Sequence, residues 1–367
     1  MLNILYDHQT FSLQRYGGIS RYFANLHHET LKQEGINSSI SILYSNNHYI
    51  QDSQRQLNKS LGKLLLHKQK KVYKWNEKYS RYMIGGNDFD VLHPTYYNPY
   101  FLQNLKKPFV LTVHDMIHEK FPDYFDTGDN TPYHKRLCIE KANHIIAISE
   151  STKNDIQLYH KIPESKISVV HHGFEPLTHE GNPTANSQHQ NFLLYIGDRR
   201  SYKNFFRLLM AIAPLLKKDT SLRLICAGGG ALQCAEMELI LRLNILNQVI
   251  QVTVTDHELA NLYRNAIAFL YPSIDEGFGL PLLEAFQYNC PVVASDIACF
   301  KEVGQDAISY FNPYDEQNMR TVIEDVLINK ETKINLVKAG QKRLSNLTMK
   351  NCLELTINIY KNIAQCG

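Results

Sequence analysis

Short runs of apolar residues alternate with segments of helical periodicity through both halves of the chain. Such alternation is typical of βαβ units, in which helices connect parallel strands, so it predicts parallel sheets and an α/β fold. In the first half, the pattern predicts strands at residues 2–6, 39–44, 91–93, 109–114, 144–149 and 167–171. In the second half, it predicts strands at residues 191–197, 222–227, 249–253, 266–271 and 291–295.

The pattern is interrupted between Pro176 and Gln190, where Thr, Asn, Gly, Pro, His and Gln replace almost all apolar residues. This composition is typical of a linker. We therefore expect an N-terminal domain at residues 1–176, a linker at 177–190 and a C-terminal domain at 191–348. Both domains should be Rossmann-like and doubly wound, and should face a central cleft that binds ligands. Residues 349–367 are helical by periodicity and could pack back on the first domain.

Composition and charge narrow the choice of function. The 367 residues carry 39 basic and 36 acidic side chains, a net charge of +3, which argues against nucleic acid as a bulk partner. The seven cysteines are scattered and form no CxxC pair, so we expect neither a disulfide framework nor a metal site. The N-terminus lacks the features of a signal peptide, and no apolar run approaches the ~18 residues of a membrane span. A cytoplasmic location fits best.

The most informative segment runs from Glu276 to Glu284, with the sequence EGFGLPLLE. Its glycines and proline predict a loop that opens onto a helix N-terminus, where unpaired backbone N–H groups suit a diphosphate or sugar oxygens. Glu276 could accept hydrogen bonds from sugar hydroxyls, and Glu284 could reach a ribose. An ordinary strand-loop-helix junction with two solvated glutamates explains the spacing equally well.

A basic loop follows the predicted strand at residues 191–197. Arg199 and Lys203 come directly after the carboxyl end of this strand, where a guanidinium or an ammonium can bind phosphate. The alternative is a solvated basic loop, which is the interpretation that we favour for Arg200. The position after a strand, together with the Glu276 loop, favours phosphate binding by Arg199 and Lys203.

Two segments of the first half carry weaker signals. The pair Gly17-Gly18 precedes a predicted helix that extends to about residue 31, and such a loop allows backbone to approach an anion closely. A tight turn needed only for packing is an equal alternative. His114 and Asp115 end a predicted strand, so His114 could hydrogen-bond a sugar hydroxyl while Asp115 orients it or caps the next segment.

Residues 59–83 contain eight Lys or Arg side chains and one Glu, with apolar residues at near-helical spacing. The pattern predicts a basic amphipathic helix. A merely solvated charged face is the more economical interpretation. The sharper hypothesis is peripheral contact with an anionic membrane or with a lipid-diphosphate acceptor.

Taken together, these motifs resemble the retaining GT-B glycosyltransferases of family 4, including enzymes of bacterial envelope-polysaccharide assembly. The likeness covers nearly the whole chain. It rests on four elements: the E-x7-E spacing of residues 276–284, the G-x-R-x-x-Y-K-N motif of residues 197–204, Val-His-Asp at 113–115 and Pro-Val-Val-Ala-Ser at 291–295. The resemblance implies a donor nucleotide held mainly by the second domain, an acceptor held by the first, no metal, and no cofactor beyond the sugar-nucleotide substrate.

The resemblance also implies roles for individual residues. Those expected to act in catalysis are Arg199 and Lys203 on the leaving diphosphate, Glu276 on the donor hexose and His114 on the same sugar. Those expected to bind the donor otherwise are Gly17, Gly18, Thr253, Val254, Thr255, Gly277, Phe278, Gly279, Leu280 and Glu284. The chain departs from many relatives at Asp198, where they have arginine, which leaves open whether Arg199 or Arg200 contacts phosphate. It also has Asn289 where they have glycine.

The expected function is therefore retaining transfer of a hexose to a glycan or lipid-linked acceptor in polysaccharide biosynthesis, through front-side substitution. UDP-glucose or a related UDP-hexose is the first expected donor, and GDP-mannose is the next. Two alternatives are a sugar-nucleotide epimerase on the same scaffold and a non-catalytic sugar-nucleotide-binding subunit. The location would be cytoplasmic, with peripheral contact at the inner face of the membrane as an option.

Overall fold

The computed structural model describes residues 1–53, 69–174 and 191–366. The predicted linker at 177–190 and the first part of the basic segment, residues 59–68, lie outside these ranges. The chain divides into two compact units. The first unit comprises Met1–Gly173 and Met349–Gly367, and the second comprises Phe174–Thr348.

The elements of the first unit alternate between strands and helices as expected. In chain order they are β1 (Leu2–Tyr6), α1 (Gln9–Leu13), α2 (Gly18–Thr30), β2 (Ile36–Ile40), α3 (Gln69–Gly86), β3 (Val91–His93), β4 (Val110–Val113), α4 (Ile117–Lys120), α5 (Thr131–Lys141), β5 (His144–Ala147), α6 (Glu150–His160) and β6 (Ile167–Val169).

The second unit repeats the alternation, and a terminal helix follows it. In chain order the elements are β7 (Phe192–Ile196), α7 (Phe205–Lys218), β8 (Arg223–Ala227), α8 (Cys234–Arg242), β9 (Val249–Val252), α9 (Asp256–Asn265), β10 (Ala268–Tyr271), α10 (Leu280–Gln287), β11 (Val292–Ser295), α11 (Ala298–Gly304), β12 (Ile308–Phe311), α12 (Glu316–Ile328), α13 (Lys330–Asn346) and α14 (Met349–Cys366). Short 3-10 turns occur at His48–Ser53, Pro99–Gln103, Pro122–Tyr124, Glu164–Lys166, Ser201–Lys203, Leu246–Gln248 and Gln305–Ala307.

All strand pairs of the first unit are parallel. They form the orders β2-β1-β3 and β4-β5-β6, and a bridge between Leu92 and Phe109 connects β3 to β4. The central residues of β1, β3, β4 and β5 are buried, as in parallel sheets covered by helices, whereas the edge strand β2 alternates buried and exposed residues. The terminal helix α14 packs into this unit, where the hydroxyl of Tyr360 lies 3.2 Å from that of Tyr6 in the core.

The second unit is a six-stranded parallel sheet with the order β12-β11-β10-β7-β8-β9. From β7 the chain proceeds outward through β8 and β9, and then returns to β10 on the other side of β7 before proceeding to β11 and β12. The neighbours β7 and β10 therefore form the point at which the strand order reverses. In open α/β sheets, ligands bind beyond the carboxyl ends of the strands at such a point.

The strand predictions hold to within two residues at each end, with one exception and one omission. The strand predicted at residues 39–44 lies instead at Ile36–Ile40, where inward Ile36 and Ser38 alternate with exposed polar residues. The strand is mostly polar, so the hydrophobic pattern selected the more apolar residues that follow it. The edge strand β12, with only four residues, was not predicted. The proline of the 276–284 segment, Pro281, lies within the first turn of α10, a position that tolerates its missing N–H.

Candidate active site

Lys203 and Glu276 form an ion pair beside the reversal point of the second sheet. Lys203 follows β7 and Glu276 follows β10, and these strands are hydrogen-bonded neighbours. The Lys203 Nζ lies 2.5 Å from Glu276 Oε1, and the two side chains are only 15% and 11% exposed. The structure thus brings together two residues that the sequence assigned separately to phosphate and to sugar.

The surroundings of this pair hold both charges in place. Ser273 Oγ donates a 2.7 Å hydrogen bond to Glu276 Oε1, and the Lys203 ammonium lies over the rings of Tyr202 and Tyr271. Burial lowers the pKa of Lys203, but the Glu276 carboxylate and the hydrogen bond to it raise this pKa above its usual value. Burial, reinforced by Glu276, raises the pKa of Tyr271 well above its usual value. Lys203 is therefore a permanent cation at neutral pH.

Asn204 fixes the loop that carries Lys203. Its backbone adopts a left-handed conformation, with φ of 57°, directly before α7. Its side-chain amide donates to the carbonyls of Pro272 at 3.1 Å and Pro313 at 2.7 Å. The backbone N–H of Ile274 also donates to the carbonyl of Tyr202 at 2.9 Å. These bonds join the loops after β7, β10 and β12, so the position of Lys203 relative to Glu276 is set by the backbone.

The structure places Arg199 differently from the phosphate-facing position that its spacing predicts. Its guanidinium is buried, with the residue 6% exposed, and its Nε donates to Glu236 Oε1 at 2.9 Å. The remaining contacts run to the backbone carbonyls of residues 228–231. Arg200 is 67% exposed and pairs with Asp198. Of the two arginines, the predicted one is committed to internal acceptors.

The glycine-rich segment after β10 leads into α10 as predicted. Gly279, the residue before this helix, has φ of 91°, and a Cβ there would lie 3.0 Å from Phe300. Both constraints require glycine. Gly277 and Phe278 are buried and Leu280 is half-buried. Because the Phe278 ring belongs to the core, it could serve a ligand only through its backbone, as expected. Amide contacts by these residues remain a prediction.

Glu284 lies one turn into α10 and is held by a buried tyrosine. The Tyr263 hydroxyl lies 3.1 Å from Glu284 Oε2 and 3.2 Å from the carbonyl of Pro281. Burial, followed by the charge of Glu284, raises the pKa of Tyr263 well above its usual value. The tyrosine therefore stays protonated and can donate to the carboxylate. The predicted ribose contact of Glu284 remains a prediction.

The loop after β9 contains the three residues predicted to meet the base. Thr255 caps α9, because its backbone N–H and hydroxyl both donate to Glu258 Oε2, at 2.8 and 2.9 Å, and its carbonyl accepts from Leu259. The backbone polar groups of Thr255 are therefore engaged by its own helix. Contact of the nucleotide base with Thr253, Val254 and Thr255 remains a prediction.

His114 lies in the first unit at the end of β4, buried between aromatic rings. It stacks on His172 with ring centroids 5.8 Å apart, and its Nε2 has no hydrogen-bond partner among the described residues. Burial and the nearby Lys135 ammonium lower the pKa of His114 to about 4, against the opposing charge of Asp115. Asp115 Oδ1 accepts from the N–H of Ile117, so it caps the next segment. A neutral His114 can exchange hydrogen bonds with a hydroxyl, and this role remains a prediction.

Gly17 precedes α2, with Gly18 as its first residue. The side chain of Gln14 lies over this turn: its Oε1 accepts from the N–H of Ser20 at 3.3 Å, and a Cβ on Gly17 would lie 2.3 Å from the same oxygen. A side chain on Gly17 would therefore require the Gln14 amide to move. Phosphate contact by Gly17-Gly18 stays a prediction.

The described part of the basic segment, α3, exposes Lys70, Lys71, Lys74 and Lys78. Its buried stripe consists of Val72, Asn76, Ser80 and Ile84. Membrane contact by this helix stays a prediction. Among the described residues, no helix combines the length and apolar character needed to cross a bilayer. The same ranges contain no group of three or more His, Cys, Asp or Glu side chains placed to hold a metal ion.

Comparison with known proteins now bears on this site. Two family profiles cover most of the chain: Glycosyltransferase Family 4 matches residues 16–176, and Glycosyl transferases group 1 matches residues 180–343. The fold resembles that of Anabaena Alr3699/HepE, crystallised in complex with UDP-glucose, with a TM-score of 0.73 at 14% identity over 99% of this chain and 100% of that chain. The chain is a glycosyltransferase with the GT-B fold.

Two curated relatives of this glycosyltransferase align over much of its length. It is 27% identical over 217 residues to the O-antigen chain mannosyltransferase RfbU of Salmonella typhimurium, which covers 59% of this chain and 60% of that protein. It is 28% identical over 282 residues to the O-antigen chain mannosyltransferase B of Escherichia coli, covering 73% of each. The predicted fold class and the glycosyltransferase assignment are thus confirmed.

Sequence reasoning missed the residues that support the site of the glycosyltransferase. Ser273, Tyr271 and Tyr263 hold the two glutamates, and no local motif distinguishes them from ordinary core residues. Asn204 carried a signal, because Lys-Asn just before a helix is suited to a left-handed turn. The pairing of Thr255 with Glu258 also follows the capping-box spacing and was visible in the sequence.

Proposed function

We propose that this glycosyltransferase moves a hexose from a sugar nucleotide to a glycan or lipid-linked sugar acceptor during polysaccharide biosynthesis. The observation that carries the proposal is the Lys203–Glu276 pair beside the reversal point of the second sheet. A cation placed there can bind the departing diphosphate, and the carboxylate beside it can bind the hexose, so the two side chains act on both sides of the bond that is broken. The relatives named for O-antigen chains support the polysaccharide context.

The pair has a direct consequence for donor binding. A diphosphate competes with Glu276 for the Lys203 ammonium, because a doubly charged ligand attracts the cation more strongly than one carboxylate. Once Lys203 moves to the phosphate, Glu276 can accept hydrogen bonds from hexose hydroxyls while Ser273 still holds it. Binding thus exchanges one internal ion pair for contacts to both parts of the donor.

We propose retention of anomeric configuration through front-side substitution, without a metal. The bond from the anomeric carbon to the diphosphate oxygen breaks as the bond to the acceptor oxygen forms, and the acceptor proton passes to the departing diphosphate. Negative charge grows on the phosphate, where Lys203 stabilises it electrostatically. Both features rest on the family resemblance. The one-bond carbon–proton coupling at the anomeric centre of the product, measured by NMR with and without EDTA, tests them, because it separates the two anomers of mannose as well as those of glucose.

We propose mannose as the transferred hexose, which changes the order expected from the sequence. UDP-glucose stood first there because no side chain separated uracil from guanine. The curated relatives at 27% and 28% identity are both named mannosyltransferases, whereas the UDP-glucose complex shares 14% identity. GDP-mannose is therefore the first donor to test, and UDP-glucose is the second.

Donor choice can be tested by thermal shift followed by product analysis. GDP-mannose, UDP-glucose, UDP-galactose and ADP-glucose are added separately, and the stabilising donor is incubated with mannose-terminated and lipid-diphosphate-linked oligosaccharides. A mass increase of one hexose with GDP-mannose supports the proposal, and an increase only with UDP-glucose overturns the mannose assignment. Conversion of the sugar nucleotide without acceptor would indicate an epimerase. Binding without transfer to any acceptor would indicate the non-catalytic subunit.

A further inference from the structure

Arg199 uses almost all of its hydrogen-bonding capacity inside the second unit. A guanidinium has five N–H donors. Nε donates to Glu236, Nη1 to the carbonyl of Gly228, and Nη2 contacts the next three carbonyls, with distances of 3.0–3.3 Å to the four carbonyls of residues 228–231. Within the part of the chain that the structure describes, at most one N–H, on Nη1, is left for anything else.

The loop at residues 228–231 is built around this guanidinium. Gly228, Gly229 and Gly230 have φ of 86°, 69° and 71°, a succession that side chains with a Cβ rarely adopt. A Cβ on Gly229 would also lie 2.7 Å from Arg199 Nη1. The glycines therefore allow four successive carbonyls to converge on one arginine.

Glu236 connects this arginine to the start of α8. Its Oε1 accepts from Arg199, and its Oε2 accepts from the backbone N–H of Gln233 at 2.7 Å, completing a capping box. Glu236 is 4% exposed. Arg199 and Glu236 thus form a buried pair at the carboxyl end of β8, and the mostly exposed loop of residues 228–231 is bonded to it.

Convergence of the carbonyls determines where the amides of the loop point. In a trans peptide the N–H is directed opposite to the C=O. The N–H groups of Gly229, Gly230 and Ala231 therefore point away from Arg199, on a loop whose residues are exposed. They are donors presented outward from the strand edge at which a sugar nucleotide is proposed to bind.

We propose that Arg199 is a positioning residue, which acts on the donor through the amides of residues 229–231 and not by touching the diphosphate. Direct phosphate binding would gain two hydrogen bonds. It would give up five internal contacts and leave the buried Glu236 carboxylate unpaired. The inference rests on the proposed function only for the identity of the ligand.

The direction in which Glu236→Gln changes donor affinity distinguishes a positioning role of Arg199 from direct phosphate binding. If Arg199 bound phosphate directly, Glu236 would compete for the guanidinium, and Glu236→Gln would leave donor affinity unchanged or increase it. If Arg199 positions the loop, Glu236→Gln loosens that loop and weakens donor binding. Arg199→Lys should then weaken binding as well, because an ammonium keeps the charge but has too few N–H donors, on a single nitrogen, to bond Glu236 and all four carbonyls.

The experiment compares Arg199→Lys and Glu236→Gln with a control in an exposed pair, Arg136→Lys and Glu140→Gln, whose 2.8 Å contact is 65% and 41% exposed. KM and kcat are measured with whichever of GDP-mannose and UDP-glucose supports transfer. We expect both test variants to raise the donor KM about tenfold with a smaller change in kcat, and the control to change neither. A lowered KM in Glu236→Gln, or a loss of thermal stability with KM unchanged in both variants, would overturn the proposal.

Hydrogen exchange separates this inference from the proposed function. Both test variants should speed exchange at the two hydrogen-bonded amides that flank the loop, those of Gly228 and Gln233, and leave the peptide covering residues 273–280 unchanged, whether or not any sugar is transferred. Unchanged exchange at Gly228 and Gln233 would refute the positioning role. Should a single variant fail to fold, Arg199→Met combined with Glu236→Leu removes both buried charges together. We expect this double variant to fold and to show the same faster amide exchange. Exchange as slow as in the native protein would refute the positioning role of Arg199.

Discussion

Replacing Lys203 by methionine tests the ion pair and its proposed function together. Methionine keeps most of the side-chain volume but removes the ammonium 2.5 Å from Glu276. Breaking a buried ion pair by removing one partner costs about 3–5 kcal/mol in stability. We expect a smaller loss of about 2–3 kcal/mol, because both side chains retain some exposure and Ser273 still donates to the remaining carboxylate.

The same change should have a larger effect on transfer. Loss of one preorganised donor at a site of developing negative charge lowers kcat by about 100-fold to 1,000-fold, or about 3–4 kcal/mol. Lys218→Met is the matched control, since Lys218 makes a 2.9 Å bond to Glu324 but is 76% exposed. It should leave both the thermal stability and the turnover unchanged, because an ion pair this exposed contributes little. Turnover of folded Lys203→Met within about threefold of the native enzyme would refute the reasoning.

Three further predictions concern the stability of the two units. Burial lowers the pKa of His27, His93 and His114 to about 4, 3 and 4, so the unfolded chain takes up these protons first as the pH falls. Stability should be complete above about pH 7.5, where the histidines of the unfolded chain are also neutral, and fall by about 3 kcal/mol between pH 6 and 5. Urea midpoints that stay constant between pH 6 and 5 would contradict this. Gly279→Ala, at φ of 91°, should cost about 1–2 kcal/mol in thermal unfolding, and an unchanged Tm would count against the strain argument. Asn204→Gly can still adopt φ of 57° but loses the hydrogen bonds to both carbonyls, so the free energy of unfolding should fall by about 1–3 kcal/mol in the same assay. An unchanged Tm would show that those two bonds do not stabilise the fold.

The sequence predicted both partners of the ion pair, Lys203 and Glu276, but not the residues that hold Glu276 in place. Lys203 and Glu276 each follow a predicted strand at a turn, so local pattern was sufficient to select both. Their contact could not be predicted, because it requires β7 and β10 to be neighbours, which depends on the order of strands in the sheet. Ser273 and Tyr271 lie within five residues of Glu276, so their contacts to it are local, but no motif distinguished them from other residues of β10 and the turn after it.

Arg199 shows why local geometry does not determine which groups a side chain contacts. Its position after β7 predicted a phosphate contact, whereas its actual acceptors, Glu236 and the carbonyls of residues 228–231, follow a different strand. The polar strand at Ile36–Ile40 was displaced for a related reason, since pairing with β1 overrides its weak apolar character. In both cases long-range contacts decide, and periodicity does not contain them.

The most direct test of the central claim is the stoichiometry of nucleotide release. The purified enzyme is incubated with the donor selected by thermal shift, with and without its acceptor, and nucleoside diphosphate and glycosidic product are quantified together. We expect one nucleoside diphosphate for each sugar attached, almost none without acceptor, and almost none from Lys203→Met. Interconversion of sugar nucleotides with no release of nucleoside diphosphate would contradict the account.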